Sequence, residues 1–143
     1  MTHPRLLQLA AALALLLAVA IPSCNPVGAT EAAQKAVTDF HAKLDKGDFK
    51  GLYSSANPEF KASTTEADFV ALLDAVHRKL GAFKSTSQST WHVESFNLKT
   101  SVHLGYKTKF ASGDATELFV YRTEGTQATL LSYDIRSLGL VTK

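Results

Sequence analysis

The sequence has only one cysteine, Cys24, among its 143 residues. A single thiol cannot form a disulfide within the chain, so the fold depends on packing and hydrogen bonds. The sequence also lacks a CxxC pair, a GxSxG motif and a phosphate-binding glycine loop. It therefore carries none of the short motifs that indicate redox, serine-hydrolase or nucleotide chemistry.

The chain also lacks a large excess of basic or of acidic residues. The chain has 15 Lys and Arg against 13 Asp and Glu. Only Arg5 precedes Cys24, so the part from Cys24 onward holds 14 basic and 13 acidic residues, a net charge of +1. The basic residues are scattered, whereas nucleic-acid binding requires them clustered on one face. We expect no nucleic-acid partner.

No apolar run is long enough to be an ordinary membrane-spanning helix. The stretch from Leu6 to Ile21 is rich in Leu and Ala and is interrupted once, by Gln8. Roughly 20 apolar residues are needed to span a bilayer. A shorter run preceded by a positive charge, here Arg5, is typical of a secretory signal.

Cys24 stands at the end of this run, and Ile21-Pro22-Ser23-Cys24 resembles the lipobox of bacterial lipoproteins. The resemblance implies that residues 1–23 are a lipoprotein signal peptide and that Cys24 is acylated, for example with palmitate. One acyl chain binds a membrane only marginally, and this family carries several on its cysteine. Two alternatives are a signal peptide cleaved near Ala29, leaving a soluble secreted domain, and an uncleaved anchor.

The same resemblance predicts a location. Asn25, rather than Asp, follows the cysteine, which does not match an inner-membrane retention signal. We therefore expect the cell envelope, at the outer membrane facing the periplasm if the organism has two membranes. Residues 24–30 would form an acylated tether, whose six residues after the cysteine reach roughly 20 Å. Residues 31–143 would form a single domain large enough to bury a core.

Helical periodicity comes first along this domain and alternation follows. Apolar residues spaced for one helix face predict helices over Glu31–Lys46 and Phe49–Ala56, and from Thr65 to Gly81, with Glu59–Ser63 extended. Alternation then predicts four strands: Phe83–Glu94, Lys99–Phe110, Thr116–Thr123 and Thr126–Arg136. The expected class is α+β, with three N-terminal helices packed on a curved four-stranded antiparallel meander.

The predicted turns set the register of the strands. We expect a three-residue loop at Ser112–Asp114, so that Tyr106 faces Val120, and a two-residue turn at Glu124-Gly125. The face against the helices would then carry Trp91, Val102, Leu104, Tyr106, Phe110, Leu118, Val120, Leu131, Tyr133 and Ile135. The outer face would carry His92, Glu94, His103, Lys107, Lys109, Glu117, Phe119, Tyr121, Leu130, Asp134 and Arg136.

The order of these elements is similar to small bacterial domains with the nuclear-transport-factor-2-like (cystatin-like) cone, several of which are envelope lipoproteins. The resemblance covers Glu31 to Ser137 and rests on Leu44-Asp45-Lys46-Gly47-Asp48-Phe49, Leu52-Tyr53, Asn57-Pro58-Glu59-Phe60-Lys61 and Leu80-Gly81. It implies a curved sheet wrapped over helices, with a cavity at the open end. The wider superfamily includes isomerases, dehydratases, binding domains and dimerisation modules, so the fold alone selects no function.

The expected cavity-lining residues are mostly apolar or aromatic. They are Trp91, Val102, Leu104, Tyr106 and Tyr133. Acid–base catalysis would require a buried carboxylate or imidazole there, and this register turns those of the strands outward. The expected function is non-catalytic binding of a small apolar ligand or a partner protein. A carboxylate beside a His or Tyr in the cavity, or an inward Asp68 or Asp74, would instead favour a proton-transfer isomerase or dehydratase.

The outer face offers a candidate partner surface at Phe119, Tyr121 and Leu130, for a homodimer or an envelope protein. The tail from Leu138 to Val141 is an alternative cover for it, and a structural dimerisation module is a third functional hypothesis. The pair His92 and His103, with Glu94, lacks the spacing of a zinc motif, so we expect no metal and no cofactor. We expect the helical residues His41 and His77, which flank the apolar stripes, to be solvated or to snorkel toward water.

Overall fold

A computed structural model describes residues 25–142; Cys24 and the predicted signal segment lie outside the described residues. The helices are α1 (Pro26–Asp45), α2 (Phe49–Ser54), α3 (Pro58–Ser63), α4 (Glu66–Leu80) and α5 (Leu138–Thr142). The strands are β1 (Phe83–Phe96), β2 (Lys99–Phe110), β3 (Gly113–Glu124) and β4 (Gln127–Arg136). None of the helices within residues 25–142 has the length and apolar character needed to cross a membrane.

The first helix begins five residues earlier than predicted. Asn25 is its N-cap, accepting a hydrogen bond from the Gly28 amide, and Pro26 occupies the first turn, where its missing amide hydrogen is not needed. The first turns of α1 pack against the rest of the domain, since Ala29 and Ala33 are buried. Asn25 to Thr30, predicted as a short tether, are the N-cap and the first turn of α1.

The segment predicted as extended is the short helix α3. Asn57 caps it by accepting from the Glu59 amide, and Pro58 starts the helix in the same way as Pro26 starts α1. Phe60 on this helix is buried. The domain consequently has four helices before the sheet rather than the three expected. The predicted caps of α4 are confirmed: Thr65 begins it, and Gly81, with φ of 75°, ends it.

The four strands form one antiparallel sheet in the order β1-β2-β3-β4, so the predicted α+β class with a meander is confirmed. Helix α1 crosses the inner side of the sheet and contacts all four strands. The core lies between this helix, α4 and the sheet, where Val37, Phe40, Leu73 and Val76 are buried.

The predicted register between β2 and β3 is wrong. The turn between them has two residues, Ala111 and Ser112, and Tyr106 pairs with Glu117 rather than with Val120. The turn is fastened to the end of α4, because the Ser112 amide donates to the Leu80 carbonyl at 2.8 Å. An offset by an odd number of residues moves every side chain of a strand to the opposite face.

Strand β3 therefore turns its other face to the helices. Its inward residues are Ala115, Glu117, Phe119, Tyr121 and Thr123, all buried. Leu118, predicted to be inward, is 42% exposed, and Val120 lies on the same outer face. The register also shifts between β3 and β4, where Val120 pairs with Ser132 but Tyr121 pairs with Leu130. Leu131 is the extra residue of this irregularity, so its predicted inward position is also wrong.

This register can be tested with two neighbouring substitutions. Phe119→Ala should lower the free energy of unfolding by about 3–5 kcal/mol, because it removes a ring from the packed core. Leu118→Ala should lower it by less than about 1 kcal/mol, because that side chain is partly in water. Urea unfolding followed by circular dichroism measures both. A larger loss for Leu118→Ala would contradict the register.

Candidate functional site

Three hydrogen-bonding side chains meet the fully buried carboxylate of Glu117, which is 0% exposed. Tyr133 donates its hydroxyl to Oε1 at 2.7 Å, and Thr108 donates its hydroxyl to Oε2 at 2.5 Å. Nε2 of His41 lies 2.8 Å from the same Oε2. A buried carboxylate requires such partners to offset its lost hydration. We call Glu117, His41, Tyr133 and Thr108 the Glu117 cluster.

Four elements bring the cluster together. Glu117 projects inward from β3, Thr108 from the neighbouring β2, and Tyr133 from β4 on the other side. His41 reaches the carboxylate from α1, on the face that also buries Val37 and Leu44. The cluster therefore fixes how α1 lies on the sheet.

Aromatic rings enclose the cluster. The His41 ring stacks on Phe83, with centroids 4.3 Å apart, and meets Phe119 edge-on at 5.9 Å. Tyr133 packs against Phe40 at 4.8 Å and Phe119 at 5.0 Å. Rings around a carboxylate exclude water and strengthen its hydrogen bonds in the lower local dielectric.

The phenol of Tyr133 stays protonated. Burial raises the pKa of Tyr133 well above its usual value, and the negative charge of Glu117 raises it further. Burial likewise raises the pKa of Tyr121, which lies four residues from Glu117 on the same face. A neutral phenol remains a hydrogen-bond donor, so Tyr133 holds the carboxylate over the whole physiological pH range.

Of the three main surface cavities in the described residues, one is bordered by a member of the Glu117 cluster, Thr108. The largest, about 640 Å³, lies over the ends of β1, β2 and β3 beside α5, and its charged side chains are Lys107, Lys109, Asp114 and Arg136. The second, about 270 Å³, includes Trp91, His92, His103 and Asp134, and the third, about 200 Å³, lies between α1, α2 and strands β3 and β4. Glu117, His41 and Tyr133 line none of these three cavities.

Most of the predicted cavity-lining residues fill the core instead. Val102, Leu104 and Tyr106 face the helices and are buried, and Tyr133 packs against the core within the Glu117 cluster. Trp91 lies on the same side of the sheet in register with Leu104, but it is 60% exposed. Only Trp91 and Leu104 of this set border one of the three cavities, the 270 Å³ one.

The predicted partner surface is wrong. Phe119, Tyr121 and Leu130 are 1%, 3% and 5% exposed, because the true register turns them against the helices. The tail, which was the alternative cover for this surface, is helix α5, and it packs against α4 and β3. These three side chains are part of the core.

The histidines and helical carboxylates also have definite positions. His41 is 2% exposed, so its predicted solvation is wrong, and His77 is half-buried with its Nδ1 unpartnered. On the outer face, His103 Nε2 lies 3.0 Å from Glu94 Oε1, and the His92 and His103 rings are 5.9 Å apart. Within residues 25–142, no group of three or more His, Cys, Asp or Glu is arranged to hold a metal ion.

Asp68 and Asp74, whose inward orientation would have favoured catalysis, point away from the core. Asp68 accepts a hydrogen bond from Thr65 at the exposed start of α4. Asp74 pairs with Arg78 at 2.6 Å on the exposed face of the same helix. The Glu117 carboxylate, by contrast, is fully buried and accepts a hydrogen bond from the inner aromatic residue Tyr133.

No protein-family model matches the chain, and no curated protein matches it. Among solved structures, the chain is similar to an NTF2-like protein from Cytophaga hutchinsonii, at 11% identity and a TM-score of 0.46. The likeness covers 76% of this chain and 94% of the other. A likeness at this level carries no conclusion about function or site residues, which must come from the geometry described above.

The Glu117 cluster can be tested for a structural role. Glu117→Gln should lower the free energy of unfolding by about 1–3 kcal/mol, because the amide nitrogen cannot accept from the donors around it. Glu94→Gln is a matched control in an exposed pair with His103, and should change stability by less than about 0.5 kcal/mol. Urea unfolding at neutral pH measures both. A neutral or stabilising Glu117→Gln would contradict a structural role.

Proposed function

We propose that the protein is an envelope lipoprotein, anchored through an acylated Cys24 and facing the periplasm from the outer membrane where two membranes exist. The sequence Ile21-Pro22-Ser23-Cys24 after a short apolar run supports the anchor. The helices followed by a four-stranded meander support the cone-like domain that the sequence resembles. Because α1 begins at Pro26, the domain would lie directly against the bilayer, without a spacer.

We infer further that the domain acts by binding rather than by catalysis. The observation that carries this inference is the burial of the Glu117 carboxylate, which is 0% exposed and lines none of the three cavities, although its partner Thr108 borders the largest of them. A general acid or base must come within hydrogen-bond distance of its substrate. The one buried carboxylate–imidazole–phenol group in residues 25–142 meets no cavity among the three described.

The binding partner that fits best is a protein or the membrane itself. A small apolar ligand needs an enclosed apolar cavity, whereas the residues expected to line one are packed into the core. The largest of the three cavities is bordered mainly by Ser, Thr and charged side chains. The homodimerisation hypothesis loses its original support, because Phe119, Tyr121 and Leu130 are buried.

A proton-transfer enzyme is the second candidate, favoured by one observation. The Glu117 carboxylate lies within 2.8 Å of an imidazole nitrogen and 2.7 Å of a phenol oxygen, which is the distance relation that such an enzyme requires. What the site lacks for catalysis is a substrate cavity that reaches the Glu117 carboxylate. Catalytic groups are commonly held at the expense of stability, so the Glu117→Gln measurement separates the two candidates.

The anchor is tested by expressing the full chain in a bacterium as wild type and as Cys24→Ala. We expect radiolabelled palmitate in the wild type only, and wild-type protein in the membrane fraction, since Cys24 is the sole site for acylation in the proposal. Ser23→Ala, which retains a small residue before the cysteine, serves as the matched control and should label like the wild type. Equal labelling of wild type and Cys24→Ala would contradict the anchor.

A further inference from the structure

The tip of the hairpin that joins β1 and β2 is apolar and fully in water. Phe96 is 78% exposed and Leu98 is 104% exposed. Phe96 pairs with Lys99, so Asn97 and Leu98 form a two-residue turn. Neither large side chain belongs to the core. We call Phe96, Asn97 and Leu98 the hairpin tip.

The backbone of the tip does not favour leucine. Asn97 and Leu98 have φ of 49° and 63°, both left-handed. Two-residue hairpin turns of this kind strongly favour Gly at the second position, because a side chain there crowds the backbone. Leu98 thus occupies a strained position without burying any surface of its own. Such a combination indicates a role outside the fold.

The tip lies at the end of the domain where the upstream chain enters. Phe83, at the start of β1, donates its amide to Asp45 at the end of α1, at 2.8 Å. Further along, Gln88 accepts from Gln34 at 2.7 Å. Going back along α1 therefore means going forward along β1, so the first turn of α1 and the hairpin tip are at the same end. Val27, in that first turn, is 65% exposed.

We propose that the hairpin tip inserts into the lipid interface of the membrane to which Cys24 is anchored. The proposal rests on the proposed anchoring, because the apolar run and Cys24 place a bilayer beside Asn25. Two projecting apolar side chains suit the interface between headgroups and acyl chains. A protein partner would need a broad surface of about 800 Å² on each side, which a convex tip does not provide.

Charged side chains of both signs lie beside the tip. Lys99 follows Leu98 directly, and its side chain is 62% exposed while its ammonium lies 3.3 Å from Glu59. Arg122 approaches the same carboxylate at 3.0 Å. Two cations share the Glu59 carboxylate, and the exposed acid Glu124 follows Thr123, which pairs with Thr100. The charge near the tip is therefore balanced, and its apolar side chains carry the attraction to lipid. The tip then provides a second membrane contact besides the lipid anchor and would fix the orientation of the domain.

The test uses the full chain purified from membranes and reconstituted into vesicles of phosphatidylethanolamine and phosphatidylglycerol. An environment-sensitive thiol dye is attached after Leu98→Cys, with Leu138→Cys as the matched control. Leu138 is also highly exposed, at 83%, but lies at the opposite end, where Ser137 contacts Asp114 near the start of β3. We expect a blue shift, and severalfold quenching by spin-labelled lipid, for the dye at position 98 only.

Three outcomes would overturn the proposal. The first is no shift at position 98, and the second is equal quenching at both positions, which would indicate general adsorption. The third is a shift at position 98 that lipid quenchers leave unchanged, which would indicate a second copy or the upstream segment as the cover. Dye uptake by the wild type would mean that Cys24 is free, so failure of the anchor is visible separately.

A second variant tests the role of Leu98 without risk to the fold. Leu98→Gly should leave the thermal midpoint unchanged or raise it, because glycine adopts the left-handed backbone freely. In the same variant, vesicle flotation of protein made without acylation, as Cys24→Ala, should fall severalfold relative to Cys24→Ala alone. A lower thermal midpoint would show that Leu98 serves the fold, and unchanged flotation would show that it does not bind lipid; either result overturns the proposal.

Discussion

Glu117 is a carboxylate without contact to water, and donors from α1, β2 and β4 surround it. Burying a carboxylate is strongly unfavourable unless each of its oxygens is satisfied. His41, Thr108 and Tyr133 can meet it together only in one arrangement of helix and sheet. This single requirement fixes the register of β3 and the position of α1, and with them the packing of Phe40 and Phe119.

Local signals in the sequence were enough for most elements. Thr65 and Gly81 mark the ends of α4, and alternation marks the strands. The start of α1 was missed because Thr30 also resembles an N-cap, although Asn25-Pro26 carries the stronger cap and first-turn pair. Asn57-Pro58 uses the same pair to begin α3, where we had predicted an extended segment.

The register could not be derived from local signals. The turn at Ala111 and Ser112 is set by hydrogen bonds to the end of α4, which are tertiary contacts. The predicted outer face was nevertheless energetically unfavourable, since it placed the large apolar side chains of Phe119, Tyr121 and Leu130 in water. The register that buries Phe119 and Tyr121 also turns Glu117 inward. Its partner His41 is remote in sequence, and nothing local indicates that the two meet.

Because the interior is packed, the proposed binding function falls to the surface of the domain, including the hairpin tip proposed to contact the membrane. If the anchor and the hairpin tip both contact lipid, the domain is held at two points. The outer side of the sheet would then be open both to the bilayer edge and to the periplasm. Groups such as Lys107, Lys109 and Arg136 would then be presented in a fixed orientation to envelope partners. In this proposal, the constraint at Glu117 would keep the domain rigid between these contacts.

The closure of the Glu117 cluster can be measured directly by the reaction of histidines with diethyl pyrocarbonate, read out by mass spectrometry. His92 is exposed on the outer face and serves as the internal reference. We predict that His41 is modified only as fast as the whole domain unfolds, many times more slowly than His92. Modification of His41 at a rate similar to that of His92 in the native protein would show an accessible site and contradict the account.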